Sequence, residues 1–128
     1  MSDFKKLEVW RKAHALALNV HRAAVGIRGP NYAGFRSQLI RASMSIPTNI
    51  VEGNGQRTKL EFGRFVRIAA NSASELEYHL IVARDIQLIS TSDFVTLSTQ
   101  TIEVRKMIHG LLRHLNAVSP KISTTDGP

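Results

Sequence analysis

FRSQLIRASMSIPTNIVEGNGQRTKLEFGRF, residues 35–65, decides the architecture. Apolar side chains recur at Phe35, Leu39, Ala42, Ile46 and Ile50, the four-three-four spacing of one helical face. Gly53, Asn54 and Gly55 then interrupt the pattern with residues that tolerate positive φ and end helices. Thr58 and Glu61 follow as a capping box, which predicts a new helix from that point. Inside the first of these helices Pro47 removes a donor and clashes with the preceding turn, at a cost of about 3 kcal/mol. It also biases Ile46 away from the α region. Ser43, Ser45, Thr48 and Asn49 stand where they can bond the freed carbonyls, so SIPTN reads as a shaped bend.

Working outward, two more segments carry helical periodicity. A first helix is expected from about Leu7 to about Gly26, stopped by Gly29 and Pro30. The hairpin helices should run from about Gly34 to Glu52 and from Thr58 to about Gln87. A fourth is predicted to begin near Ser92, with Ser92 or Asp93 as N-cap, and to reach Asn116. Phe94, Leu97, Thr101, Val104, Ile108, Leu111 and Leu115 form its seam, and Phe62, Phe65, Ala69, Ser72, Leu76, His79 and Ala83 that of the third. Small residues at Ala69, Ala70, Ser72 and Ala73 permit a neighbouring helix to come close. No alternating strand pattern is present. The expectation is an all-α, antiparallel up-down-up-down four-helix bundle over residues 1–116, with a disordered tail at 117–128.

The first helix has two apolar stripes. Leu7, Trp10, His14 and Ala17 make one, and Val9, Ala13, Leu16, Val20 and Ile27 make the other. A four-helix core needs one, so Val9, Ala13, Leu16 and Val20 are assigned to a subunit interface.

Charge separates the two halves of the chain. Residues 1–72 hold twelve Lys/Arg against four acids, and residues 73–128 hold five against six. A localised excess of this kind points to a polyanion, nucleic acid first and an acidic protein second. Arg36, Arg41, Arg57, Lys59, Arg64 and Arg67 are the candidate contacts, with Arg22 and Arg28 behind them. Most aromatics fall on core positions, Trp10 included, and only Phe4 and Tyr32 are expected outside. Base stacking therefore has few platforms, and backbone contact with structured RNA or duplex DNA is the better fit.

Catalytic chemistry finds little support. There are no cysteines, hence no disulfide, thiolate nucleophile or cysteine metal site, which fits a reducing compartment. No apolar run reaches the roughly 20 residues of a membrane span, and the charged start MSDFKKLEVWRK is unlike a signal peptide. A cytoplasmic location follows as the expectation. Glu75 and His79 are four apart on one helix face, but SELEYH does not repeat and no second ligand pair accompanies it. There is no nucleophile elbow. GNGQRTK lacks the Gly-Lys-Ser/Thr ending of a phosphate loop and follows a helix. We expect a non-enzyme without metal or cofactor. Asn49, Glu52 and Glu75 are assigned to a buried or inter-subunit polar network, with Glu52 facing Arg41 or Arg64.

The stretches FKKLEVWRKA, SQLIRASMSIPTNIVEGNGQ and EFGRFVRIAANSASELEYHL, with the closing heptads, resemble in order and spacing the bacterial four-helix bundle family encoded in intervening sequences of 23S ribosomal RNA genes. The similarity covers about residues 4–115. Asn71 stands where that family often has glycine, and Val51 where it usually has alanine. The resemblance implies a ring-like homopentamer and a relationship to accessory proteins of diversity-generating retroelements, which bind nucleic acid and a reverse transcriptase through a positive surface. It implies no catalytic residues. A protein-interaction scaffold docking an acidic partner is the alternative function.

Overall fold

A computed structural model describes residues 3–116 of the protein as an all-α fold with no strand among them. Four helices follow in order: α1 Glu8–Val25, α2 Ala33–Asn54, α3 Lys59–Asp85 and α4 Thr91–Asn116. Short 3-10 turns, Phe4–Lys6 and Pro30–Tyr32, precede α1 and α2. The predicted tail at 117–128 lies outside the described residues.

Local chemistry sets the helix ends. Thr58 is extended at φ −121°, and its Oγ1 accepts from the Glu61 N–H at 3.1 Å. Such a cap stabilises a helix by about 1 kcal/mol. The Glu61 carboxylate does not complete the box and turns to Arg64 at 3.2 Å. At α4 the expected cap is displaced: Ser90, not Ser92 or Asp93, accepts from the Asp93 N–H at 3.0 Å. Asp93 serves in the first turn, where its charge complements the helix dipole. Helix α3 stops at Asp85, short of Gln87, because Gln87 adopts φ 62°. The Leu88 N–H then reaches back to the Ala83 carbonyl at 2.8 Å, closing the end.

Helix α2 continues through Pro47, whose ring is buried. Ser43 Oγ donates to the Ile40 carbonyl at 2.9 Å, and Asn49 Nδ2 donates to the Ser45 carbonyl at 2.8 Å. Ser45 Oγ lies 2.8 Å from Ser72 Oγ on α3, so the stretch around the proline is also stitched to its neighbour. The glycines after it act differently from the sequence expectation. Gly55 has φ −83°, and Gly53 lies within the helix. A Cβ on Gly53 would meet Phe62 Cδ1 at 2.8 Å and both Phe62 O and Phe65 Cβ at 3.0 Å. Gly53 therefore allows the end of α2 to approach α3, and the glycine at positive φ is Gly29 (104°) in the α1–α2 link.

Each helix packs on its neighbours in sequence, and α1 closes the bundle on α4. Leu16, Val20, Leu39, Ile46, Ile50, Val66, Leu76, Leu80, Val104 and Ile108 are sealed inside. The α4 seam holds with one shift, Leu112 filling the place expected of Leu111. Buried Thr101 satisfies its hydroxyl on the Leu97 carbonyl at 2.7 Å.

The two stripes of α1 exchange roles. Val9, Ala13, Leu16 and Val20 are 8%, 0%, 1% and 1% exposed within the single chain, so they belong to its core and are closed to a second subunit. Of the stripe expected inside, Ala17 is buried, Leu7 and Trp10 are half-buried and His14 is exposed. The physical reason is rotation: Ala24 and Ile27 extend the first stripe into a continuous buried seam, while a solvated imidazole sits in the second.

Candidate nucleic-acid interface

The six candidate cations divide between two places. Arg36 is half-buried near the start of α2, where Nη1 donates to the Ile27 carbonyl at 2.8 Å and to that of Gly29 at 2.9 Å. It ties off the end of α1 and is removed from the set of free phosphate contacts. Arg41, a turn further along α2, is exposed without an ion pair among the described residues. From Arg36 to Asn54 the helix rises roughly 27 Å. Beyond it Arg57, Lys59, Arg64 and Arg67 gather on the α2–α3 turn and the first turns of α3, all exposed. Arg64 is held by Glu61, but that pair is open to solvent and worth only a few tenths of a kcal/mol. Arg57, Lys59 and Arg67 have no charged partner among the described residues. The hairpin turn is thus the concentrated part of the positive surface.

More cations come from the N-terminal turn, which the sequence reading passed over. Phe4–Lys6 packs against both α1 and α2 and leaves Lys5 and Lys6 exposed. The KK pair in FKKLEVWRK was the available signal. Two acids elsewhere hold helices together: Glu103 pairs with Lys12 at 3.5 Å across α1 and α4, and Glu77 with Arg105 at 3.1 Å across α3 and α4.

Within the chain, Asn49 alone of the three residues assigned to a buried or inter-subunit polar network is bonded through its side chain, to the carbonyl and, at 3.0 Å, the hydroxyl of Ser45. Glu52 and Glu75 are exposed, and Glu52 pairs with neither Arg41 nor Arg64. A carboxylate without a cation partner is costly to bury, and these two stay hydrated. The small hydroxyls of Ser45 and Ser72 occupy the contact instead.

Aromatic side chains also depart from expectation. Trp10, expected in the core, is half-buried, as are Phe4 and Tyr32, expected outside. The Phe4 ring meets Trp10 edge-on at 5.0 Å, and His14 stacks on Trp10 at 5.0 Å with 6° between planes. Phe94 is half-buried beneath the Arg84 guanidinium at 4.5 Å.

Glu75 and His79 gain no further ligand, and no three His, Asp or Glu side chains among the described residues gather to hold a metal. His79 packs beside Phe35, and its Nδ1 is buried without a hydrogen-bond partner. Two open hollows are lined by Asn19, Arg22, Asp93 and Leu97 (about 340 Å³) and by Val25, Ile27, Arg28 and Arg36 (about 420 Å³). Arg22 leans on Asn19 at 2.8 Å, and Arg28 is exposed. No described helix is long and apolar enough to cross a membrane.

Comparison with known proteins agrees with this arrangement. Residues 5–110 match the model of a family described as 23S rRNA-intervening sequence protein. No curated protein matches the chain at a significant level. A crystal structure from Bacteroides thetaiotaomicron, described as a protein with unknown function from the S23 ribosomal protein family, is similar with TM-score 0.77. It shares 20% identity over 82% of this chain and 98% of its own, a likeness that speaks for the fold.

Proposed function

The chain belongs to the 23S rRNA-intervening sequence protein family, and on that premise we propose that it is a non-catalytic, cytoplasmic nucleic-acid-binding bundle. Its partner is the phosphate backbone of structured RNA or duplex DNA. The carrying observation is the group of exposed cations Arg57, Lys59, Arg64 and Arg67 on the α2–α3 turn and the first turns of α3, with Arg41 further along the same hairpin. Guanidinium groups bond phosphate oxygens through charge-assisted contacts that carry no sequence information.

The helices alternate in direction in this reading. Supporting it, the contacts along α1–α4 and α3–α4 run in opposite order: Asn19 with Gln100 and Lys12 with Glu103, Glu77 with Arg105 and Arg84 with Phe94. The bundle assembles further into a ring-like homopentamer. With Val9, Ala13, Leu16 and Val20 in the core, the exposed apolar side chains open to such contacts include Leu18, Val25 and Met44 on α1 and α2 and Leu60, Ile68 and Val95 on α3 and α4, between 42% and 60% exposed.

The test is an anisotropy titration of labelled structured RNA and duplex DNA across a salt series. Four engaged cations predict a log–log slope of about −3.6 on B-DNA, against about −5.4 for six. Charge reversal at Arg57 and Arg67 should abolish binding while leaving the helical spectrum and the native mass unchanged. No binding at low salt overturns the reading and favours an acidic protein as the partner of the positive face.

A further inference from the structure

The Phe4–Trp10–His14 ladder ends in solvent, in a ring stacked parallel on the one beneath it. Phe4 and Trp10 alone suffice to pin the N-terminal turn onto α1, their rings meeting edge-on at 5.0 Å. His14 adds a third ring within 6° of parallel to the indole, and its side chain is exposed. A flat, solvated ring continuing a stack offers its outer face to another flat ring. Two lysines stand at the foot of this ladder: Lys5 lies 5.9 Å from the Phe4 centroid, and Lys5 and Lys6 are exposed, while Arg11 is paired with Glu8.

We infer that His14, backed by Trp10, stacks an unpaired base of a nucleic-acid strand whose phosphates lie on Lys5 and Lys6. This rests on the nucleic-acid reading above and sharpens it. A base within a duplex has both faces covered by its neighbours, so the site selects loops, bulges or single strands. Because every base has a π-face, the preference is for unpaired structure and not for sequence.

Trp10 is the chain's single tryptophan, which makes the site self-reporting. Short oligouridylate, an abasic strand of the same length and a duplex of the same length are titrated while Trp10 emission and anisotropy are followed. Oligouridylate should quench Trp10 and bind more tightly than the abasic strand. His14→Ala should weaken oligouridylate about tenfold, the low end of the 1–3 kcal/mol range for base–aromatic stacking, with the salt slope unchanged. His14→Phe should restore it. Equal affinity for the oligouridylate and abasic strands, or a His14→Ala protein that binds both as before, overturns the stacking site and leaves the charged surface standing. Failure of all three strands to bind removes the nucleic-acid reading itself, and the stacking site with it.

Discussion

The α2–α3 seam and the α1–α4 seam solve the same packing problem in opposite ways. Between α2 and α3 small groups meet closely: Gly53 under Phe62 and Ser45 against Ser72. Between α1 and α4 long polar side chains reach across, Asn19 to Gln100 at 3.2 Å and Lys12 to Glu103 at 3.5 Å, beside a hollow of about 340 Å³. Close backbone approach brings dispersion contacts that solvent cannot compete for, whereas long side chains spend rotamer entropy on bonds that water also offers. Rigidity is therefore concentrated in the hairpin that carries the basic turn. The closing seam holds the bundle shut with weaker ties.

Core truncation should expose this difference most strongly. Ile46 is 0% exposed on α2, and Leu97 is 4% exposed beside the α1–α4 hollow. Large-to-small core changes cost about 2–5 kcal/mol, more where the site cannot collapse. Ile46→Ala should lie near the top of that range and Leu97→Ala near the bottom, read as urea midpoints at constant slope. Equal losses would break the contrast between the seams. The next effect is Gly53→Ala. Its methyl meets backbone and ring atoms at 2.8–3.0 Å, so overpacking of about 1–3 kcal/mol should exceed the alanine helix gain of about 1 kcal/mol. A net stabilised variant would mean that the seam yields.

How much of this could be read from the chain depends on the range of the interaction. Thr58 and the α4 seam were legible because capping and helical period act within a few residues. Gly53 was legible as a special residue but for another reason, since its close approach involves Phe62 on the next helix. The roles of the α1 stripes were not, because both have helical period and only the rotation of α1 against its neighbours selects one. In the candidate site, the exposure of Arg57, Lys59 and Arg67 follows from their place on and after the turn. The loss of Arg36 to the Ile27 and Gly29 carbonyls, and the placing of Phe4 against Trp10, need the chain to fold back on itself. Periodicity carries no trace of either.

The smallest effect tests the closing seam alone. Lys12 and Glu103 keep about half their side-chain surface in water, 44% and 52%, so attraction across their 3.5 Å separation is screened. A double-mutant cycle on Lys12→Ala and Glu103→Ala should return a coupling of at most about 0.5 kcal/mol, shrinking as salt is raised. Its weakness has a structural consequence. If α1 is held on α4 by ties of this size, then amide protons of α1 should exchange faster than those of α2 and α3, whose seam is closed by Gly53 under Phe62 and by Ser45 against Ser72. Uniform exchange across all four helices would require the buried stripe of Val9, Ala13, Leu16 and Val20 to anchor α1 as firmly as glycine and serine anchor α2 to α3.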